Sequence, residues 1–350
     1  MQTRKTVLNE ITTIHMTSRN NIAQIWEVLE DERSLGLVKR LYSQELEFPV
    51  FATFQYPESY YGIAFTFHKD IRLNISSFSN LKELKIVLLD DTTFTDSNLL
   101  VVQLLNPENR DIFASLCENL IQAISREDTE QKVARTVINQ LEKWKTLFDT
   151  GNNSGLDTSA QQGLFGELHF LHNVLWEFSE NPQSLLETWV GADRALRDFQ
   201  GDKWAVEIKT TSANNPQRII INGERQLDET FIENLFLLHL SVEVSNRNGI
   251  TLVQKITDIR NLLLSNTPAL NLFNAKLFEA GYLDRQESFY RTRHYHIRSE
   301  NYYKIGDDFP RIKENELRSG VGEIRYSIVI SICNEYMVSR TQVFNAIQEV

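Results

Sequence analysis

Within the segment Asp198-Phe-Gln-Gly-Asp-Lys-Trp-Ala-Val-Glu207-Ile-Lys209, two carboxylates and one ammonium are spaced so that a single surface can carry all three. Adjacent carboxylates offer the hard oxygen donors that bind a divalent cation such as Mg2+. An ammonium beside them can orient or deprotonate a water. This short stretch therefore holds the donor types of a metal site with a base next to it.

The element that must position them is a hairpin. Gly201-Asp202 is a favoured two-residue turn, pairing Gln200 with Lys203, Phe199 with Trp204, Asp198 with Ala205 and Arg197 with Val206. Side chains alternate along a strand, so Phe199, Trp204, Val206 and Ile208 share one face while Asp198, Glu207 and Lys209 share the other. Glu207 becomes the diagonal neighbour of Asp198, roughly 7 Å away between Cα atoms, near enough for both to hold one cation or two adjacent ones.

Glu-x-Lys alone says little, because Glu83-Leu-Lys85 and Glu130-Gln-Lys132 have the same spacing. Glu130 and Lys132 lie in a polar, helix-patterned stretch and read as a solvated face. Glu83 and Lys85 open the strand-like run Lys85-Ile-Val-Leu-Leu89 with Asp70 upstream, but no short turn returns that aspartate across the strand.

A third acid comes from upstream. Gln162-Gly-Leu-Phe-Gly-Glu167-Leu-His-Phe-Leu-His-Asn-Val-Leu175 reads as an amphipathic helix with a buried stripe of Leu164, Leu168, Leu171 and Leu175. At about 100° per residue, Glu167 lies about 60° from the middle of that stripe, at the seam between helix and sheet. Gly163 and Gly166 each disfavour a helix by roughly 1 kcal/mol against alanine. They predict close approach of another backbone, from a packed helix or from nucleic acid.

A helix with Glu167, a strand with Asp198, a strand with Glu207-Ile-Lys209, then Ile219-Ile-Ile-Asn-Gly-Glu-Arg-Gln226-Leu227 opening a helix: this order resembles the PD-(D/E)XK nuclease superfamily. More closely, Gly163-Leu-Phe-Gly-Glu167, Trp189-Val-Gly191, Arg197-Asp-Phe199, Val206-Glu-Ile-Lys-Thr-Thr211 and Gln226-Leu227 are similar to a bacterial PD-(D/E)XK family of phage-defence and restriction gene clusters. The strong likeness covers about residues 160 to 240. Phe309-Pro-Arg-Ile312 and Gly322-Glu-Ile-Arg-Tyr326 resemble that family more weakly. Arg197 stands where the superfamily name has proline.

The resemblance implies an α/β fold of restriction endonuclease type, a mixed central sheet flanked by helices, with an N-terminal α+β module and a C-terminal α/β extension. It implies metal-dependent hydrolysis of DNA phosphodiesters in restriction or phage defence. Asp198, Glu207 and the Ile208 carbonyl then hold Mg2+, with Mn2+ as a possible substitute, and Glu167 is an outer or second-metal ligand. Lys209 orients or deprotonates the attacking water and steadies developing charge. Gln226 lies near that water or a phosphate. Thr210 and Thr211 are candidates to donate to the phosphate backbone.

Around His294-Tyr-His296, the cations Arg291, Arg293, Arg298 and Lys304 interleave with Tyr290, Tyr295, Tyr302 and Tyr303. Phosphate-binding cations with stacking aromatics make this the candidate nucleic-acid strip, although a plain alternating strand looks similar. Cutting both strands with one site per chain calls for a homodimer. Other defence proteins are further expected partners. A rival reading from another class is a non-catalytic DNA-binding or scaffold subunit that retains the fold; the presence of Asp198, Glu207 and Lys209 favours the enzyme. The same site would also suit RNA or branched DNA.

His169 and His172 lack a His-Glu-x-x-His pattern, so zinc is not indicated, and no phosphate-cradling Gly-x-x-x-x-Gly-Lys-Ser/Thr loop is present. With 350 residues, 41% hydrophobic and 24% charged, the chain is of ordinary globular composition. Its net charge of -11 repels nucleic acid as a whole, so a DNA surface must be locally basic. Cys117 and Cys333 stand alone in apolar settings, which fits a reducing cytoplasm, and no 18-residue apolar run predicts a membrane span.

Organisation follows the same periodicities. Residues 1–150 read as an α+β module, with a helix near Ile22–Leu29, strands near 48–54, 61–67 and 84–89, and connecting helices at about 108–125 and 128–148. Gly151-Asn-Asn-Ser-Gly155 is a linker. Residues 156–250 form the nuclease core, with Asp157, Thr158 or Ser159 capping its first helix, Asn181-Pro182 closing that helix and a strand over 235–244. Residues 251–350 give two helices split by Pro268, then strands that include 324–332, then a helix near 342–347.

Overall fold

The computed structural model describes residues 21–79, 81–149, 155–193, 196–230 and 232–348. Asn21 caps α1 (Ile22–Asp31) by accepting from the Ala23 N–H at 2.9 Å, and the helix turns Ile22, Ile25, Trp26 and Leu29 inward. Then come β1 (Gly36–Leu41), β2 (Val50–Tyr56), β3 (Tyr60–His68), β4 (Leu84–Asp90) and β5 (Ser97–Leu104), an antiparallel sheet in the order β1-β2-β3-β5-β4. The interior strand β5 is not among the expected runs: it is covered on both faces, so its apolar residues do not alternate. Helices α2 (Arg110–Ile124) and α3 (Glu130–Asp149) close the module. Trp26 stacks on Phe113 at 5.7 Å, and Phe113 meets Trp144 edge-on at 5.9 Å.

Residues 151–154 of the expected linker lie outside the described residues. Asp157 caps α4 (Thr158–Glu177), taking the Ser159 and Ala160 N–H groups at 2.8 Å each. Asn181-Pro182 opens α5 (Pro182–Glu187) instead of closing α4, because a proline in the first turn gives up an N–H that has no helical partner anyway.

The second sheet contains β6 (Phe199–Gln200), β7 (Trp204–Thr211), β9 (Asn234–Ser245), β10 (Ile250–Thr251) and β11 (His294–Lys304), in the order β10-β11-β9-β7-β6; β13 (Met337–Val338) pairs with β11. It is mixed, since β7 runs parallel to β9 and the other pairs are antiparallel. Between them, β8 (Arg218–Asn222) pairs with β12 (Arg325–Val329) as a separate ribbon. The chain after residue 249 thus supplies three strands of the central sheet, β10, β11 and β13.

On one face Trp204, Val206, Ile208, Phe236, Leu238 and Leu240 share a core with α4, α6 (Leu252–Leu263), α7 (Thr267–Glu279) and α9 (Arg340–Gln348). Pro268 sits in the first turn of α7. On the other face Ala205, Leu235 and Leu237 pack with Ile219, Ile221 and Ile328 of the ribbon and with Phe309. Ala275 and Phe278 of α7 also enter the N-terminal core, so α7 is shared by both units. Among the described residues no helix is long and apolar enough to cross a membrane.

The two glycines of α4 separate cleanly. A Cβ on Gly166 would lie 1.9 Å from Thr210 Oγ1 and 3.3 Å from Ile208 Cγ2, whereas one on Gly163 meets nothing within 4 Å. Gly166 is the contact of helix with sheet. Gly166→Ala should lose about 1–3 kcal/mol by overpacking against a stiff β-branched neighbour, and Thr210→Ala should recover most of it. Gly163→Ala should gain up to about 1 kcal/mol from helix propensity. Chemical denaturation of the three variants reads both; equal shifts for the two glycines would contradict this packing.

Candidate active site

The hairpin forms with its turn one residue later than Gly201-Asp202 predicts. Phe199 pairs with Val206 and Gln200 with Ala205, and the Gly201 N–H donates to the Trp204 carbonyl at 2.9 Å, leaving Asp202 and Lys203 as the loop. Gly201 serves as a platform instead: a Cβ there would meet the Trp204 indole nitrogen at 2.5 Å. Moving the turn by one shifts the register by two, so the faces are unchanged. Phe199, Trp204, Val206 and Ile208 enter the helix-side core, and Glu207 and Lys209 point away from it. Extending the register sets Asp198 opposite Glu207, a direct neighbour instead of a diagonal one.

Each acid is held by one donor. Asp198 Oδ2 accepts the Ile208 N–H at 2.6 Å, and Glu207 Oε1 lies 2.7 Å from the Lys209 ammonium. Glu167 Oε2 accepts from Trp189 Nε1 at 2.8 Å. Glu167 reaches this group from α4 because β6 is only two residues long, which leaves the sheet open beside Glu207 and Lys209. Gly191 closes the corner, where a Cβ would come within 2.9 Å of Asp198 Oδ1 and 3.2 Å of Glu167 Oε2. The Val190 and Gly191 amides both donate to the Asp198 carbonyl, at 3.0 and 2.9 Å, fixing that strand edge.

Three carboxyls in a poorly solvated corner resist ionisation together. Burial, then the Asp198 charge, raises Glu167 to about 8, and burial raises Asp198 to about 6. Burial, then Asp198, carries Glu207 well above the usual carboxylate range. Glu207 is 1% exposed, and its Oε2 has no hydrogen-bond partner. An orphaned buried carboxylate oxygen that feels the charge of two other acids is a donor a divalent cation would satisfy. Among the described residues no three His, Cys, Asp or Glu side chains are already drawn together as a metal cage. The Ile208 amide, Lys209 and Trp189 occupy one oxygen of each acid, and Glu207 Oε2 is the buried oxygen of the group left without a partner.

Gln226 joins the group, its Oε1 accepting from Lys209 Nζ at 3.2 Å and from the Asn222 N–H at 3.0 Å. It does so from a turn over 223–227, not from a helix, because residues 223–229 return the chain within a few residues to β9.

Other expected residues lie elsewhere. Thr210 Oγ1 is buried under Gly166 without a hydrogen-bond partner, and Thr211 Oγ1 bonds His239 Nε2 at 2.8 Å, so neither hydroxyl is free for phosphate. Tyr290, in the short helix Glu287–Tyr290, and Tyr295, Tyr302 and Tyr303 of β11 are buried core residues and offer no stacking surface; β11 lies inside the sheet, with β9 on one side and β10 and β13 on the other. Arg291 pairs with Glu287 at 2.6 Å, Arg293 donates to Tyr295 Oη at 3.1 Å, Arg298 donates to the Ala213 carbonyl at 2.9 Å, and Lys304 bonds Asn234. From Arg293 to Lys304 the strand spans roughly 35 Å at about 3.3 Å per residue, so these cations do not make one strip.

Sequence reasoning missed two residues. Trp189 carries no assigned role in its motif, yet its indole anchors Glu167. His239 stands in register with Lys209 on the neighbouring strand, and burial, then Arg298, pushes it down to about 4. Only the strand pairing reveals it. Trp189→Phe keeps a ring in the core while removing the donor to Glu167. Outer contacts of this kind shift metal affinity by about 10- to 100-fold. Calorimetric Mg2+ titration should show weakening of at least about tenfold; an unchanged isotherm would take Trp189 out of the site.

A cleft of about 1010 Å³ runs from the start of α4 to Glu167 and Gly191, walled by Phe278, Leu283 and Phe289. Of the three acids, Glu167 lines it.

The family described as "Putative PD-(D/E)XK family member" matches residues 22–331. No curated protein and no solved structure matches the chain.

Proposed function

The chain belongs to that PD-(D/E)XK family, a nuclease-type family whose enzymes generally use divalent metals, and from this premise we propose that it is a metal-dependent deoxyribonuclease hydrolysing DNA phosphodiester bonds. The observation that carries the reading is the convergence of Asp198, Glu207, Glu167 and Lys209 on one open sheet corner, with a buried Glu207 oxygen left without a partner.

Asp198, Glu207 and the Ile208 carbonyl are the residues that would hold Mg2+, or Mn2+ in its place, with Glu167 as outer or second ligand. A divalent cation held there would supply positive charge to the phosphate oxygens. Lys209 directs the attacking water and steadies charge on the phosphate as the P–O bond breaks. Its ammonium stays anchored between Glu207 and Gln226, at 2.7 and 3.2 Å, which fixes its direction before substrate arrives. Trp189 and the Ile208 N–H hold the outer oxygens of Glu167 and Asp198, so the remaining oxygens keep their aim. We place this activity in restriction or phage defence, with a homodimer delivering two sites to the two strands.

The test is incubation of the purified chain with plasmid and oligonucleotide DNA in Mg2+, Mn2+ or EDTA, beside Asp198→Ala. Products that require metal and vanish in Asp198→Ala support the enzyme. No products under any metal, with DNA still bound, would make the chain a non-catalytic binding or scaffold subunit.

A further inference from the structure

The turn that carries Gln226 is held by two buried arginines from distant parts of the chain. Arg311, in the segment after β11, donates through Nη1 to the Leu227 carbonyl and pairs with Glu229. Arg197, the residue before Asp198, donates through Nη2 to the Asp228 carbonyl and through Nη1 to Gln200 Oε1 at 3.4 Å. Lys313 takes the other Glu229 oxygen at 2.7 Å. Leu227 is itself buried with Phe309, two residues before Arg311. The Arg311 side chain is 1% exposed. A guanidinium taken so far out of water is costly unless its position is used.

We propose that Arg311 and Arg197 are positioning residues for Lys209, acting through Gln226: they clamp the 223–229 turn at two successive carbonyls so that the Gln226 carbonyl oxygen meets the ammonium. The inference rests on the deoxyribonuclease reading and adds residues that themselves hold neither cation nor substrate. Lys209 has two anchors, Glu207 along its own strand and Gln226 across from it, and only the second depends on the turn. A displaced turn leaves Lys209 paired to Glu207 but free to swing.

Arg311→Lys keeps the charge facing Glu229 and replaces the planar guanidinium whose Nη1 reaches both Glu229 and the Leu227 carbonyl. Misplacing a reacting group by about 1 Å lowers rates by up to about 100-fold. Arg311→Lys should therefore reduce kcat by about tenfold or more with KM for DNA unchanged, and Gln226→Ala should do the same. The double variant should be no slower than the slower single variant, because both act on one contact. Multiplying effects, or an unchanged kcat in Arg311→Lys, would overturn the inference. If Arg311→Lys does not fold, Arg197→Lys takes its place beside Gln226→Ala, with the same expected loss and the same overturning results.

Failure of the underlying reading looks different, since the parent would then cleave nothing. The contact is still read in that case by the NMR signal of the Lys209 side-chain nitrogen. That signal should shift in Gln226→Ala and in Arg311→Lys, with no further shift in the double variant. Independent shifts would dismiss the clamp.

Discussion

Lys209→Ala should bind DNA in Mg2+ as the parent does and cleave it at least about a thousandfold more slowly, within the range that positioned proton-transfer groups contribute. The side chain is 15% exposed, so few substrate contacts are lost with it. What disappears is the one ammonium bonded to both Glu207 and Gln226. Removing it also takes a competing cation away from Glu207, so the variant should hold Mg2+ no less tightly than the parent. Binding by anisotropy, Mg2+ affinity by calorimetry and single-turnover cleavage separate these effects. Turnover at the parental rate would take Lys209 out of the chemistry, and loss of DNA binding in step with cleavage would make it a substrate contact instead.

A second large effect concerns stability without metal. The folded values of Asp198, near 6, and Glu167, near 8, lie above the ordinary carboxylate range near 4, and Glu207 is raised as well. Between those values the folded chain holds protons that the unfolded chain has released. Their stabilising contribution is complete below about pH 4 and is lost as pH climbs through the folded values. In EDTA the melting temperature should therefore fall from pH 5 to pH 8. At about 1.4 kcal/mol per pKa unit, a few kcal/mol are at stake, roughly 5 °C or more. Saturating Mg2+ should flatten the slope, because an ion that binds only the folded chain stabilises it most where the acids are ionised. A melting temperature that rises over this range in EDTA would mean that the corner is well solvated.

Parity carried most of what the sequence could tell about the site. Alternation assigned Asp198, Glu207 and Lys209 to one face even though the turn sits one residue later, since a two-residue slip changes partners without changing faces. The α4 stripe was equally legible, and so was the place of Glu167 at its edge. Gln226 came from resemblance, and its helix proved to be a turn because the chain returns to β9 within a few residues. The tyrosines of β11 misled for a different reason. Their spacing among cations suits an exposed strand, but pairing with β9 and β10 buries them, and nothing local to 290–304 announces those neighbours. His239 and Trp189 were invisible for the same reason: their partners lie on another strand or another helix.

The strap over residues 188–191 has a quaternary meaning. Thr188 takes the Gln200 N–H, while Val190 and Gly191 donate to the Asp198 carbonyl, so the outward hydrogen-bonding groups of this border are spoken for within the chain. A sheet whose rim is self-satisfied offers no template for a strand from a second molecule. The homodimer proposed above would therefore form away from this border, which is shielded from fibre-like stacking.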